Sequence, residues 1–118
     1  MARIDKYDST DGGFRAPLAA AFAGAAAPVG VGLDVNGRVV AGAGQTGIVG
    51  ILCKPNPAVI GEIVDCMRSG ELVEFAGVAG TVYTANTTTG VISSAAASGT
   101  QIRVGFTVEA TRFHVGVI

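Results

Sequence analysis

The segment Gln101–Val117, which reads QIRVGFTVEATRFHVGV, has the clearest periodicity in this chain of 118 residues. Apolar and polar residues alternate along it, as they do in a β-strand that buries one face. The residues predicted to share the buried face in its first half are Ile102, Val104, Phe106 and Val108. In the second half the apolar residues have the opposite parity, beginning at Phe113. A slip of one residue reverses every side chain, so we expect a turn or bulge at residues 110–112.

Turn signals divide the preceding sequence into further short strands. Asn36-Gly37 separates two apolar runs, a pattern typical of a β-hairpin with a type I′ turn, because both residues accept a positive φ. One strand is expected over Gly47–Cys53, two around Ser69-Gly70, and two around the polar turn Asn86–Gly90. We therefore predict an all-β fold, a small barrel or sandwich of about eight short strands that is β-tulip-like in outline.

The composition restricts the functions open to this chain. It is 49% hydrophobic and only 14% charged, so we expect part of its apolar surface to be covered by other subunits or by a partner. The net charge of −1 gives no long-range attraction to nucleic acid or to an anionic membrane. An oligonucleotide-binding barrel would also need basic and aromatic residues on one sheet face, and only Tyr83, Phe106 and Arg103 approach that pattern.

Residues 1–28 differ from the rest of the chain. They begin with a polar stretch of mixed charge and continue with small apolar residues, and neither half alternates as a strand does. The uncharged stretch Ala16–Leu33 is interrupted by prolines and glycines, so we do not interpret it as a membrane span. We predict an N-terminal arm at residues 1–28, extended or partly helical over Leu18–Ala27, followed by a β-rich domain at residues 29–118.

Several short motifs suggest chemistry but lack the context that it needs. The GAGQTG motif at Gly42–Gly47 matches a dinucleotide-binding fingerprint, but a strand-like run and prolines follow it, so we predict a loop. Cys66, Asp65 and His114 could form a hydrolytic site, without any local motif to support it. Cys53 and Cys66 lack metal-ligand spacing; we favour free thiols, and a disulfide between them stays open. We predict no catalytic, cofactor-binding or metal-binding residues, and no enzyme.

Three segments of the chain, in order, resemble the small capsid decoration, or cement, proteins of tailed bacteriophages. They are SGELVEF (69–75), AGTVYTANTTTGVISS (79–94) and GTQIRVGFTVEATRFHVGV (99–117). The family pattern is a G-x-x-V-E strand, a strand with glycine and V-Y, a polar turn ending in glycine, and a returning strand with V-G. The residues at these positions are Gly70, Val73, Glu74, Gly80, Val82, Tyr83, Gly90, Val104 and Gly105. The resemblance covers residues 29–118.

The resemblance implies a structural virion protein without enzymatic activity. Such proteins are compact and β-rich, often form homotrimers, and bind the outside of HK97-like capsids, where they bridge subunits of the major capsid protein. The chain would be made in the host cytoplasm and become part of the capsid exterior. The resemblance implies no cofactor and no nucleic-acid or membrane partner.

The N-terminal arm of several such proteins becomes ordered only on the capsid. By composition, the arm residues expected to contact the capsid are Arg3, Ile4, Asp5, Lys6, Tyr7, Phe14, Arg15, Leu18 and Phe22. Two alternatives stay open from the sequence. One is another β-rich structural subunit of a phage, from the tail or the shell. The other is a ligand-binding or hydrolytic β-barrel whose site forms between subunits.

Overall fold

A computed structural model describes residues 12–73 and 75–117. Within these residues there is no helix, and the chain forms ten strands. The strands are β1 (Gly13–Pro17), β2 (Val29–Leu33), β3 (Val39–Ala41), β4 (Gly50–Leu52), β5 (Ile63–Met67), β6 (Ser69–Leu72), β7 (Val82–Asn86), β8 (Ile92–Ser93), β9 (Gln101–Glu109) and β10 (Arg112–Gly116). They pair antiparallel in two five-stranded sheets, ordered β1-β5-β4-β2-β3 and β6-β10-β9-β7-β8. The all-β prediction is confirmed; the architecture is sandwich-like and not a closed barrel.

The first core cluster lies on one face of the first sheet. Its buried residues are Ala16, Leu18, Val31, Val39, Leu52, Ala58, Val64 and Cys66. Val64 and Cys66 are alternate residues of β5, and Val31 of β2 is flanked two positions away by the partly buried Val29 and Leu33, as the period-2 geometry of strands requires. Leu18, Ala58 and the partly buried Phe22 come from outside the strands, so two connecting segments supply part of this core.

The second core cluster brings the two sheets together. Ile51 of β4, and Ile48 just before it, pack against residues of the second sheet and its C-terminal end. Those residues are Tyr83, Ala85, Val104, Phe113, Val115 and Val117. Phe113 is fully buried and meets Phe75 edge-on, with ring centroids 4.6 Å apart, which is a favourable geometry for aromatic rings. Apolar burial therefore holds one sheet against the other.

The backbones of the two sheets touch at Gly30 and Gly90. The Gly30 N–H donates to the Gly90 carbonyl at 2.7 Å, and the carbonyl of Gly30 accepts from Gly42 N–H at 2.9 Å. A Cβ on Gly30 would lie 2.5 Å from the Cβ of Ala85, and one on Gly90 would lie 2.2 Å from the Gly30 carbonyl oxygen. Gly90 also has φ +75°, which favours glycine. This close approach joins the β7–β8 hairpin to the first sheet.

The hairpin predicted at Asn36-Gly37 forms, but with a longer loop. Asp34 N–H donates to the Arg38 carbonyl, and Gly37 N–H donates to the Asp34 carbonyl, so three residues lie between the last paired ones. Gly37 has φ 75°, as the third residue of such a loop requires. The loop is therefore not a two-residue type I′ turn. The Asp34 carboxylate accepts from the N–H groups of Asn36 and Arg38, both at 2.9 Å, and supports this geometry.

Two strands form close to Ser69-Gly70, but the break between them is at Arg68, Ser69-Gly70 begins β6, and the two strands belong to different sheets. Only Arg68 separates β5 of the first sheet from β6 of the second. The Arg68 N–H donates to the carbonyl of Gly12, and its own carbonyl accepts from Val117 N–H. The main chain therefore passes from one sheet to the other at a single hydrogen-bonded residue.

The predicted irregularity before β10 is confirmed, and β9 contains another that the alternation does not predict. The β9–β10 register shifts between Arg112 and Phe113. The β7–β9 register shifts as well, because Tyr83 pairs with Gly105 whereas Thr84 pairs with Arg103, which leaves Val104 as an extra residue.

This second shift reverses the faces of the rest of β9. Val104 and Thr107 are buried, whereas Phe106 and Val108 are 38% and 49% exposed. The prediction that Phe106 and Val108 share the buried face is therefore wrong. The Thr107 hydroxyl replaces them inside, where it donates to the Val78 carbonyl and accepts from Thr81 N–H at 3.0 Å.

The described part of the expected arm belongs to the first sheet and its core. Gly13–Pro17 is an edge strand paired with β5, and Leu18 is only 3% exposed. Phe22 exchanges two backbone hydrogen bonds with Ala58. Residues 18–27 are irregular and contain no helix, so the helical option over Leu18–Ala27 is wrong. The described residues of this segment thus contribute to the first core cluster and do not stand apart from it, whereas residues 1–11 of the expected arm lie outside the described residues.

Replacing Gly30 by alanine should test the contact between the sheets. The added Cβ would meet the Cβ of Ala85 at 2.5 Å, so we expect the free energy of unfolding to fall by about 1–3 kcal/mol. Gly116→Ala is the control, because a Cβ at that strand glycine meets no atom within 4 Å. Urea denaturation followed by circular dichroism measures both. Equal stability of the two variants would show that the sheets do not approach closely at Gly30.

Replacing Leu18 by alanine should test whether the N-terminal segment contributes to the core. Because Leu18 is buried in the first cluster, we expect a loss of about 2–5 kcal/mol in the free energy of unfolding. Val35→Ala removes an aliphatic side chain that is 82% exposed and should change stability by less than about 0.5 kcal/mol. If Leu18→Ala were as harmless as Val35→Ala in the same denaturation experiment, the segment would not be part of the core.

Candidate binding surfaces

The residues considered for a hydrolytic site lie apart in the structure. Cys66 points into the first core cluster and is 2% exposed. Its neighbour Asp65 points to the opposite face of β5, where its carboxylate lies 2.8 Å from the Arg15 guanidinium. His114 is on the exposed face of the second sheet, beside Phe106. The three side chains therefore do not form a nucleophile–base pair within this chain.

Both cysteines are free thiols in the structure, with Cys53 exposed and Cys66 buried. Desolvation by burial raises the pKa of the Cys53 thiol. Desolvation, together with the nearby negative charge of Asp65, raises the pKa of Cys66 to about 11. A thiol must lose its proton to become a nucleophile or a metal ligand, so both environments reduce reactivity at neutral pH.

The predicted loop at Gly42–Gly47 is confirmed: these residues form a bend and a turn, no helix follows them, and β4 begins at Gly50. Its backbone contacts the β7–β8 turn, where Ala43 N–H donates to the Thr87 carbonyl at 2.8 Å. A Cβ on Gly42 would lie 2.7 Å from the same carbonyl oxygen. Gly42, the first glycine of the GxGxxG-like sequence, therefore permits close contact between two loops of this protein.

The residues predicted to contact the capsid fall into three groups. Five of them lie outside the described residues: Arg3, Ile4, Asp5, Lys6 and Tyr7. Leu18 is buried, and Phe14 and Phe22 are partly buried against the first core cluster. Arg15 is exposed and paired with Asp65 on the outer face of the first sheet. Arg15 is therefore the described member of the set whose side chain is most available to a partner.

The outer face of the second sheet carries a row of exposed side chains in register. Val82 pairs with Phe106, Phe106 with His114, and His114 with Glu71, so the row crosses β7, β9, β10 and β6. The rings of Phe106 and His114 lie 5.2 Å apart. Phe106 is turned outward by the Val104 bulge, which simple alternation misses. A glycine inside a strand pattern often marks a bulge, so Gly105 is the sequence signal that could have found it.

An open groove of about 540 Å³ lies beside this row. Its lining residues are Arg68, Ser69, Ile102, Arg103, Gly105, Phe106, His114, Gly116 and Val117. Two arginines and a histidine are among them, and none of the described lining residues is acidic. Of the residues considered for oligonucleotide binding, Phe106 and Arg103 line this groove, whereas Tyr83 is buried and its hydroxyl accepts from Val78 N–H.

Two carboxylates on this side of the sheet, one of them Glu71 at the end of the row, are paired with Arg112. Arg112 forms ion pairs with Glu71 at 3.3 Å and with Glu109 at 3.0 Å. Hydrogen bonds to Glu71 and then to Glu109 raise the pKa of Arg112. Negative charge on this side of the sheet is thereby partly neutralised, although exposed ion pairs contribute little to stability.

A second exposed apolar patch lies at the start of β5. Val59, Ile60 and Ile63 are 67%, 61% and 58% exposed. Three branched aliphatic side chains within five residues are costly to leave in water, and such patches often mark contact sites between proteins. Exposed apolar side chains thus occur on both sheets, and their coverage by other subunits or by a partner stays a prediction.

Neither a metal cluster nor a membrane-spanning helix is found in the described part of the chain. No group of three or more His, Cys, Asp or Glu residues there is arranged to hold a metal ion. No helix there is long and apolar enough to cross a bilayer.

Comparison with known proteins finds the same fold in a solved structure of a phage protein. No protein-family model matches the sequence, and no curated protein matches it. A solved structure from Mycobacterium phage Patience is similar to it, with a TM-score of 0.78 and 18% sequence identity. The match covers 98% of this chain and 95% of that chain. The two chains therefore share their fold from end to end.

The raised pKa of Cys66 should make stability depend on pH in the alkaline range. The thiol keeps its proton to higher pH in the folded chain than in the unfolded one, whose pKa is near 9.0. Its contribution is therefore complete below pH 9 and is lost as the pH rises through about 11, by up to about 2–3 kcal/mol. Urea denaturation at a series of pH values measures this loss.

Two cysteine variants separate this effect from other alkaline titrations. Cys66→Ala should be less stable at every pH but should lack this part of the decline, whereas Cys53→Ala should keep most of it. An identical pH dependence in wild type and Cys66→Ala would contradict the assignment.

Proposed function

We propose that this chain is a structural protein of a tailed-phage virion, which binds the outside of the capsid and bridges subunits of the major capsid protein. The observation that carries the proposal is the fold shared with a chain of Mycobacterium phage Patience over 98% of this protein. The sequence resemblance of residues 29–118 to capsid decoration proteins supports the same function independently. The proposal includes a homotrimer as the form that binds.

The surface of the protein suits such a role. Exposed apolar side chains occur on the outer faces of both sheets, including Ile63 and Phe106. The β7–β8 hairpin and its flanking loops carry no charged residue from Phe75 to Ile102, so they can be covered by a neighbour without desolvating a charge. Contacts that are weak singly become strong when symmetry repeats them over a shell.

The proposal assigns no enzymatic activity to the chain. Cys66 is buried with a raised pKa, and Asp65 and His114 lie on outer faces of different sheets. A site shared between subunits would have to use other residues than this trio, because Cys66 is not at the surface. Stabilisation of a shell needs binding energy and no chemical step.

Binding to undecorated, expanded capsids tests the proposed function. Purified full-length protein should bind them saturably, appear as added trimeric density on the outer surface by cryo-electron microscopy, and raise the temperature at which the capsids open. Light scattering should give three times the monomer mass for the free protein.

Isolated tails and unexpanded shells serve as the controls for that experiment. If the folded protein bound isolated tails but not expanded capsids, the result would contradict the capsid function and support a tail function. Folded protein that binds neither particle would contradict a virion role.

A further inference from the structure

The groove on the outer face of the second sheet has a volume typical of a binding site. Its volume of about 540 Å³ falls within the range of about 300–1,000 Å³ that ligand sites occupy. Gly116 lies on this outer face, and a Cβ placed there would meet no atom within 4 Å. The main chain at Gly116 is therefore open to an incoming group.

One side of the groove is apolar and aromatic. Phe106 is 38% exposed, and its ring lies against the imidazole of His114 with 5.2 Å between the centroids. Val82 and Val108, which are 43% and 49% exposed, extend the apolar surface along β7 and β9. A sheet face of this kind can accept an aromatic or branched aliphatic side chain and remove it from water.

The other property of the groove is positive charge. Arg68 and Arg103 come from separate parts of the chain, the corner between the sheets and strand β9, and both line the groove. None of the described lining residues is acidic, and Glu71, which pairs with His114 across the sheet, is engaged by Arg112. Since the whole chain has a net charge of −1, this positive character is local. It is complementary to carboxylates.

We propose that this groove binds an extended acidic segment of the partner protein, with one aromatic or aliphatic anchor residue placed against Phe106 and His114. That the partner is the major capsid protein rests on the proposed function; the chemistry of the segment rests on the groove. A protein segment fits better than nucleic acid because Val82 and Val108 present aliphatic surface beside a single phenylalanine, where stacked bases need several aromatic platforms. The two arginines then pair with carboxylates at the rim.

A short peptide tests the chemistry of the groove without a capsid. The probe is the blocked pentapeptide Glu-Phe-Asp-Val-Glu, titrated into the isotope-labelled full-length protein and followed by NMR. We expect saturable shifts of the backbone amides at Gly105, Phe106, His114 and Gly116, and none from the basic counterpart Lys-Phe-Lys-Val-Lys. The proposal would be overturned if the acidic peptide caused no saturable shifts, if the shifts lay outside the groove, or if the basic peptide bound equally well. Oligothymidylate is titrated as a nucleic-acid probe, and tighter binding of it would also overturn the proposal.

Three substitutions test whether the acidic peptide binds in the groove. Arg103→Glu should weaken the acidic peptide by about fivefold or more, since it reverses a groove charge. Arg38→Glu changes the net charge equally at the exposed β2–β3 turn and should leave binding unchanged. Gly116→Val fills open space in the groove, so it should abolish peptide binding. The dispersed amide spectrum of this variant should show that it remains folded. Equal peptide affinity in all three variants would overturn the proposal.

The same variants separate this inference from the proposed function. Wild type that binds the acidic peptide but not expanded capsids would leave the groove chemistry standing and refute the capsid role. Capsid binding that survives Arg103→Glu and Gly116→Val would leave the capsid role standing and overturn the groove as its contact.

Discussion

The close approach of Gly30 to Gly90 and Ala85 is the constraint on which the two-sheet arrangement depends. At this point the main chains are joined by a hydrogen bond of 2.7 Å, and no side chain beyond hydrogen fits on either glycine. The β7–β8 hairpin can therefore reach the first sheet, and Ala85 can sit over β2 within the second core cluster. A charged side chain at Thr84, Ala85 or Gly90 would have to be desolvated, because these hairpin positions are buried.

The sequence predicts the class of fold well because alternation and turn chemistry are local. The hairpin at Asn36-Gly37, the polar turn before Gly90 and the shift near Arg112 all depend on residues close together in the chain. Which sheet a strand joins depends on distant pairing, so nothing near Arg68 reveals that β5 and β6 separate there. The burial of Leu18 is not predictable for the same reason, because Leu18 joins the core only where the fold brings Ala58 and Val39 to it.

The groove is less predictable from the sequence than the fold is. Alternation places Phe106 inside, and one extra residue at Val104 turns it outward, next to His114. Arg68 and Arg103 are 35 positions apart in the sequence, and the fold brings both to the lining of the groove. The proposed groove is thus assembled from residues whose types, taken one at a time, do not indicate a binding site. The groove is determined by the register of these residues across neighbouring strands, which their types alone do not predict.

The passage of the chain through Arg68 also has a mechanical consequence. The two sheets are covalently continuous there, and one residue spans at most about 3.6 Å when extended. Both neighbours of Arg68 are fixed in hydrogen-bonded ladders, so the corner has no slack with which to absorb a displacement. A force that pulls one sheet outward is therefore transmitted to the other sheet through Arg68. The sheets can separate at this edge only after hydrogen bonds of the strand ladders have broken.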